Sequence, residues 1–474
     1  MKTFIKTIII GVTAGMTILG CTKDNPNITD DVYLTTTNVT TTWLTGMRRQ
    51  MALTMNQVIV NTELVSDNYY NNRTLSSKLF DIPQIDNYDL DVNSIQSAIQ
   101  RLRELSEYGL SIVVAADKTT TNVQRAEMYF INAYSHILSG ELFIGLPGAN
   151  KGEVLSPATH YNLAITALDQ AIALQTDATE KLAYTLLKAR VYYDMGNAAQ
   201  ARIFATAAMA NPLLLKQQVF DGQNGASNDF QTYLFSSTTN EFAPLPRLDF
   251  LDPKYYNTGT IALDQKPVSY IKSEEAYLIL AEVQVSANEL TAAQTTLKNL
   301  LTDVVAKRLV ISLNDNKETR NGGNRLDYPL TAVKVKFDAN DIERTGYVLN
   351  RKTANINVST ISGTLVTPAD ISSATTQDAL LYLVYRMRQE IFIAEGRRMT
   401  DLGIRYPVSQ TEQLNNPNVK TADLVAQIPS FIPLNKGMDD FTNNTTTGVV
   451  TMKYDMNKIL IANKTAKEIF PFIN

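Results

Sequence analysis

Paired carboxylates are the first residues of this sequence whose types could do chemistry. Glu390 and Glu395 lie in a charged stretch, and glycoside hydrolysis needs two carboxyl groups about 5–10 Å apart on either side of a sugar. We expect both on one helix over 378–400, where residues five apart point about 140° away from each other. Two side chains so arranged cannot flank a substrate. The spacing therefore favours a buried network of ion pairs and helix caps over a catalytic pair.

Metal ligands are also scarce. The chain has two histidines, His136 and His160, and one cysteine, Cys21, which excludes a three-His site, a Cys-based zinc site and an internal disulfide. Asp89-x-Asp91-x-Asn93 is similar to the start of a calcium loop, but the required Gly is missing and Gln100 stands where a bidentate Glu belongs. Helix capping explains these residues better, so we expect no metal and no cofactor.

Composition describes a globular chain without a nucleic-acid partner. Its 474 residues are 44% hydrophobic and 19% charged, and 43 Lys and Arg against 47 Asp and Glu give a net charge of −4. Such a chain has ample apolar material for a core. Phosphate binding needs clustered Lys and Arg, which a mildly acidic chain without a long basic run does not provide.

The single cysteine stands at the end of an export signal. Lys2 and Lys6 precede an apolar run over 8–19, which as a helix spans about 18 Å and is too short to cross a bilayer. Residues 1–20 are therefore predicted to be a signal peptide. The run ends in Ile18-Leu19-Gly20-Cys21, which resembles a bacterial lipobox. We expect Cys21 to be lipidated and 21–42 to form an extended tether behind the lipid anchor.

Helix pairs must position whatever the chain binds. Apolar residues at helical spacing predict four pairs, at 43–66 with 94–107, 122–139 with 157–174, 182–193 with 197–211, and 270–287 with 290–306. The third pair resembles a tetratricopeptide unit. The predicted fold is mostly α, with tetratricopeptide-like helix pairs stacked into a right-handed superhelix and a few short β-strands. A single domain over 43–474 would carry long insertions at 213–268, 308–375 and 403–474.

Three segments of the chain resemble the signatures of the SusD/RagB family. They are 127–134 (EMYFINAY) followed by FIGLP at 143–147, then 273–282 (SEEAYLILAE), then 388–402 (RQEIFIAEGRRMTDL). Met399 stands where the family usually has Trp or another aromatic, so the chain resembles a divergent member. The resemblance implies a SusD-like fold and a nutrient-binding lipoprotein without catalytic activity, anchored by its lipid in the outer membrane and facing the cell exterior. Such a protein captures glycan or peptide and delivers it to a SusC-like TonB-dependent transporter.

Tyrosines with neighbouring amides and charges are the predicted ligand site. Sugars present apolar ring faces and hydroxyls, so their sites combine aromatic platforms with polar groups. Loops with that composition contribute Tyr69, Tyr70, Asn71, Arg73, Tyr88, Tyr255, Tyr256, Asn257, Arg325 and Tyr328. Trp43, the only Trp, is expected at a helix start. That position disfavours a Trp platform for starch-like helices and leaves Tyr stacking or a peptide ligand open.

Two other functions remain open at this point. A tetratricopeptide-type interaction scaffold would have the same helix pairs and would bind a protein partner. A surface glycoside hydrolase would turn over a glycan, although the chain contains no Gly-x-Ser-x-Gly, phosphate loop or His-Glu-x-x-His motif. Co-purification of a large β-barrel would favour the transporter-linked function over both.

Overall fold

Helices form most of the regular secondary structure. The structure, a computed structural model, describes residues 33–71, 80–235, 241–256, 260–317, 325–352, 355–434, 437–470 and 472–473. Its α-helices are α1 (Val39–Val65), α2 (Leu90–Tyr108), α3 (Val114–Ala116), α4 (Asn122–Leu142), α5 (Pro157–Leu174), α6 (Ala178–Asp194), α7 (Ala198–Ala208), α8 (Asp229–Phe235), α9 (Glu274–Ser286), α10 (Leu290–Asn299), α11 (Pro368–Ser373), α12 (Gln377–Ile391), α13 (Arg398–Asp401), α14 (Gln410–Asn415) and α15 (Met456–Ala462). The predicted mostly α fold class is confirmed.

The four predicted helix pairs are present and packed. Helices α1 and α2, α4 and α5, α6 and α7, and α9 and α10 contact each other in antiparallel succession. In the third pair Gly196 turns the chain at φ 72°, and the side chain of Asn197 caps α7 by accepting from the Gln200 N–H at 3.1 Å. Ala189 and Ala201 are fully buried there, because small residues let two helices approach closely.

Helix boundaries differ from the predictions in three places. α1 begins at Val39, four residues before the predicted start and inside the predicted tether. α2 begins at Leu90 with Asp89 as its N-cap, four residues before the predicted start at 94. The Asp89 carboxylate accepts from the Asp91 N–H at 2.8 Å, which ties up the first position of the suspected calcium loop in capping, as expected. Residues 268–272 form a strand rather than a helix start.

The predicted helix over 378–400 is interrupted. α12 ends at Ile391 and α13 begins only at Arg398. Between them Ala394 and Gly396 have φ of 61° and 72°, a left-handed conformation that no helix can continue through. Glu390 therefore lies in α12 and Glu395 lies in the turn that follows it. The two carboxylates are not on one helix, contrary to the prediction.

The strands are short, as predicted, and form small separate sheets. They are β1 (Tyr69–Asn71), β2 (Leu146–Pro147), β3 (Val154–Leu155), β4 (Leu215–Gln218), β5 (Phe242–Pro244), β6 (Val268–Lys272), β7 (Val310–Asn314), β8 (Lys334–Lys336), β9 (Asn355–Ser359), β10 (Phe441–Asn444) and β11 (Val449–Met452). β1 pairs with β5, β2 with β3, β4 with β6 and β7 with β9, all antiparallel. β11 joins β10 to β8 in a three-stranded sheet.

The end of α1 meets the turn between α12 and α13 in the interior. Asp67, just past α1, accepts from the Arg398 guanidinium at 2.5 and 3.0 Å. Glu63 accepts from the Gly396 N–H at 2.6 Å.

Among the described residues, no helix has the length and apolar character that crossing a bilayer requires. The predicted signal peptide and Cys21 lie outside the described residues.

Candidate functional site

A wide cleft opens between α1, α4, β4 and the loop that follows β4. Its volume is about 540 Å³, which falls within the range of small-molecule sites. We call it the wide cleft. It is lined by Thr45, Arg48, Arg49, Met51, Ala52, Glu127, Phe130, Ile131, residues 217–221, residues 224–226 and Tyr270. The lining combines apolar side chains with a few polar groups, which is typical of a ligand site.

Two aromatic rings form one wall of the wide cleft. Phe130 of α4 stacks on Tyr184 with centroids 5.3 Å apart and planes 18° apart. Tyr270 of β6 packs against Phe130 at 6.2 Å and edge-on against Tyr134 at 5.6 Å. These contacts hold the half-buried Tyr270 ring in place. Burial raises the pKa of Tyr270, so its hydroxyl keeps its proton and can donate. That hydroxyl forms no hydrogen bond with any of the described residues.

Charged and amide groups form the rim. The Arg48 guanidinium donates to both carboxylate oxygens of Glu127 at 2.6 and 2.7 Å. Across the cleft, the Asp221 carboxylate accepts from the N–H groups of Gln223 and Asn224 at 2.9 and 3.0 Å. Those two bonds lower the pKa of Asp221 and close the loop after β4 into a compact turn. The rim is therefore organised before any ligand arrives.

Most of the predicted tyrosine platforms are buried. Tyr69 donates to Asp252 at 2.5 Å, Tyr255 to the Ala394 carbonyl at 2.9 Å, and Tyr328 to Asp249 at 3.0 Å. Each of the following is less than a tenth exposed: Tyr69, Tyr70, Asn71, Tyr255, Tyr256 and Tyr328. A Tyr ring can lie in the core when its hydroxyl finds a partner. In this structure these residues pack the interior and do not present a ring face to solvent.

Two of the predicted residues lie at the surface, and they do not meet. Tyr88 is 61% exposed and donates to Asp86 at 2.8 Å. Arg325 stacks over the Phe441 ring with its guanidinium carbon 3.5 Å from the centroid, and it contacts Asp327 at 3.1 Å. Arg73, Asn257 and Cys21 lie outside the described residues. Three of the predicted residues do meet, since the Arg325 guanidinium carbon lies 5.5 Å from the Tyr70 ring centroid and the Tyr70 and Tyr328 centroids are 6.0 Å apart. The described residues of the predicted set do not all come together as one site.

Sequence reasoning missed the residues of the wide cleft. Phe130 was part of a helix interpreted as core, and Tyr270 was placed in a helix although it lies on β6. Asp221-Gly222-Gln223-Asn224-Gly225 carried a clear turn signal, which marked the rim loop without indicating what it faces. Which helix faces leave a gap depends on packing between distant segments, and spacing along the chain does not contain that information.

The charged signature residues form a buried network, as predicted. Glu275 lies between Arg190 at 2.6 Å and Arg397 at 2.9 Å. Burial opposes ionisation of Glu275, but these two guanidinium groups outweigh it and lower its pKa to about 2. Arg388 pairs with Asp401 at 2.7 Å, Arg386 with Glu390 at 2.8 Å, and both Lys254 and Lys272 with Glu395. These carboxylates neutralise interior cations, and none of them lines the wide cleft.

The two histidines share a buried contact. Their Nδ1 atoms are 2.9 Å apart, and His160 Nε2 lies 3.0 Å from the Leu146 carbonyl. Because a carbonyl only accepts, Nε2 of His160 carries a proton and its Nδ1 accepts from His136. Burial lowers the pKa values of His136 and His160 to about 3 and about 4. His136 is thus a buried histidine with a hydrogen-bond partner. Among the described residues, no cluster of three His, Cys, Asp or Glu could hold a metal.

Solved structures share this architecture. A SusD superfamily protein from Bacteroides thetaiotaomicron matches with a TM-score of 0.55 and 12% identity over 80% of this chain and 98% of its own. A SusD-like protein from Bacteroides fragilis matches with a TM-score of 0.53 and 10% identity over 83% and 98%. A candidate sugar-binding protein from Bacteroides vulgatus gives 0.52 and 13% over 81% and 97%. No family model and no curated protein matches. At identities this low, the matches show that the folds are similar and no more.

Proposed function

We propose that this chain, which has the SusD-like fold, is a cell-surface nutrient-binding lipoprotein. It captures a glycan in the wide cleft and delivers it to a SusC-like TonB-dependent outer-membrane transporter. One protein of the same fold is described as a candidate sugar-binding protein, which supports a sugar ligand here. In this proposal the chain binds and does not catalyse.

Tyr270 is the observation that carries the glycan proposal. Its ring is fixed by Phe130 and Tyr134, it borders a cleft of about 540 Å³, and its hydroxyl bonds to none of the described residues. An aromatic face packs on the apolar face of a sugar, and a donor beside it can bind a sugar hydroxyl. The Arg48 and Glu127 pair adds charged groups to the rim of the same cleft. This is the composition that a sugar site needs.

Binding measurements with a panel of oligosaccharides test the cleft. We expect Tyr270→Ala to weaken binding of the captured glycan about tenfold or more, because an aromatic contact surface is lost. Tyr270→Phe keeps the ring and should cost only a few-fold, the value of one hydrogen bond. Tyr192→Ala, at a half-buried tyrosine that stacks on Phe204 and does not line the wide cleft, is the matched control. Unchanged affinity in Tyr270→Ala would remove the cleft as the site.

Lipidation and transporter coupling need their own experiment. Cys21 is proposed to carry more than one acyl chain, since a single chain anchors a protein only marginally. Cys21→Ala in the full chain should abolish labelling by a palmitate analogue and release the protein from outer-membrane fractions. The tagged, acylated chain should co-purify a large β-barrel. Recovery of a soluble partner alone would favour a tetratricopeptide-type interaction scaffold instead.

A further inference from the structure

A second groove lies on the other side of α1, between α1 and α2. Its volume is about 420 Å³, and its lining is Tyr33, Thr42, Trp43, Gly46, Arg49, Gln50, Leu53, Arg101 and Leu105. We call it the Trp43 groove. The wide cleft and the Trp43 groove share one residue, Arg49. Helix α1 therefore lies between the two depressions, and its residue Arg49 lines both of them.

Trp43 is held as a fixed, partly exposed ring at one end of this groove. Its indole N–H donates to the Leu105 carbonyl at 2.9 Å. The Tyr108 and Tyr33 rings pack against it at 5.0 and 6.1 Å. The indole approaches Gly109 so closely that a Cβ there would lie 2.8 Å from the indole nitrogen. The half-buried Trp43 ring, held by these contacts, lines the groove together with Tyr33.

The charge of the Trp43 groove is positive and not compensated within the groove. Arg49 and Arg101 are exposed, and neither has an ion-pair partner among the described residues. No Asp or Glu is among the described residues that line the groove. Arg48, one residue before Arg49, differs from it because it donates to both carboxylate oxygens of Glu127. Two free guanidinium groups in a chain of net charge −4 favour an anionic ligand.

Helix α1 is open between the two depressions. A Cβ placed on Gly46 would meet no atom within 4 Å, so nothing stands over α1 at that point. Trp43, Gly46, Arg49 and Leu53 follow one another along the helix, and the distance from residue 43 to residue 53 is about 15 Å. A linear chain longer than one sugar ring can therefore lie in the Trp43 groove and cross α1 beside Arg49.

We infer that the bound glycan is acidic, with carboxylate or sulfate groups held by Arg49 and Arg101 and one ring stacked on Trp43. This inference rests on the proposed glycan-binding function and adds the chemical class of the ligand. Arginine binds planar anionic groups through two parallel N–H donors, and the aromatic ring accepts the apolar sugar face. An acidic peptide would satisfy the guanidinium groups but has no repeating ring face for Trp43.

Matched probes separate charge from sugar structure. The full chain is titrated with oligogalacturonate and with the same oligomer fully methyl-esterified, and then with a sulfated glycan and its desulfated form. We expect at least one anionic probe to bind about tenfold more tightly than its neutral or less charged partner. Comparison of the uronate and sulfate arms identifies which anionic group is recognised. A polyglutamate peptide tests the peptide ligand.

Arg49→Gln and Arg101→Gln test the two guanidinium groups. Each should weaken binding of the preferred anionic probe about tenfold, and the double variant should abolish the preference over the neutral probe. Arg202→Gln, at a half-buried arginine of α7 that pairs with Glu289 at 2.9 Å and lines neither depression, is the control for net charge and should have no effect. Unchanged melting temperatures check that these surface changes leave the fold intact.

Each result has one interpretation. Binding of neutral glycans only, sensitive to Tyr270→Ala, overturns the acidic-ligand inference and leaves the proposed function standing. Binding of no glycan in the panel overturns both. Tighter binding of polyglutamate than of any glycan replaces the sugar with a peptide. If Arg202→Gln weakens binding of the anionic probe as much as the Arg49 and Arg101 variants do, the preference comes from net charge. That result overturns the assignment to Arg49 and Arg101.

Discussion

Arg190 and Arg49 carry the same guanidinium group in opposite surroundings. Arg190 is 2% exposed and donates to both carboxylate oxygens of Glu275 at 2.7 and 2.6 Å. Arg49 is exposed at the junction of two depressions and has no ion-pair partner in the part of the chain that the structure describes. A buried charge without a partner is costly, whereas water satisfies an exposed one until a ligand displaces it. The interior arginines therefore serve folding, and those beside α1 are available for binding.

The two regions are nevertheless connected. Besides Glu275, Arg190 donates to the backbone carbonyl of Tyr270 at 2.8 Å. The interior network thus fixes β6, the strand that carries the Tyr270 ring of the aromatic wall. Loss of an interior pair should affect binding as well as stability, while loss of Arg49 should affect binding alone.

Glu275→Gln gives the strongest test of this contrast. It leaves Arg190 and Arg397 buried around a neutral amide, and breaking a buried pair in this way costs about 3–5 kcal/mol. We expect the free energy of unfolding at pH 7, measured by denaturant titration, to fall by that amount. A fall below about 1 kcal/mol would show that the interior pairs tolerate loss as surface pairs do, and the comparison would fail.

Glu282 sharpens the contrast because it is a fully buried carboxylate without an ion pair among the described residues. Burial raises its pKa from the ordinary 4.5 to about 7, although Arg388 acts in the opposite direction. The folded state therefore holds a proton that the unfolded chain releases. The stabilising contribution of this group is complete below pH 4.5 and is lost as pH rises through about 7.

We accordingly expect Glu282→Gln to be more stable than the wild type above pH 7 by about 3 kcal/mol, and nearly equal to it at pH 4. The amide oxygen can still accept from the Tyr193 hydroxyl, which bonds to Glu282 at 2.9 Å. Denaturant titrations of both proteins at pH 4, 6 and 8 measure the difference. A difference that does not grow with pH would show that Glu282 is already ionised in the folded protein.

Glu127→Gln should have the smallest effect. The Arg48 side chain of this pair is 58% exposed, and exposed ion pairs contribute less than about 1 kcal/mol even when the geometry is good. We expect a change of that size or less in the free energy of unfolding, and a smaller one still in 0.5 M salt. A loss as large as that in Glu275→Gln would contradict the distinction between the two regions.

Local patterns predicted the helices well and their interruptions poorly. The pair α6 and α7 follows from apolar spacing and from the turn at Gly196, both contained in some thirty consecutive residues. The break after α12 was missed because the motif over 388–402 has helical spacing throughout. Gly396 was the available signal, since its positive φ ends the helix.

The site was harder to predict because exposure is decided by distant partners. Tyr69 was placed at a ligand surface for its composition, but its hydroxyl bonds to Asp252, 183 residues away. Trp43 was judged unsuitable as a platform from its position at a helix start. It became a candidate only when α2 supplied the Leu105 carbonyl and the Tyr108 ring that fix it.

The bonds from Glu63 and Asp67 to Gly396 and Arg398 also set an order of folding. They join residues 333 and 331 positions apart, and closing so long a loop is slow compared with pairing neighbouring helices. During synthesis the end of α1 has to wait for most of the chain before its acidic groups find partners. We expect the neighbouring helix pairs, α1 with α2 among them, to form first. The end of α1 should be fixed last, when the turn between α12 and α13 reaches Glu63 and Asp67.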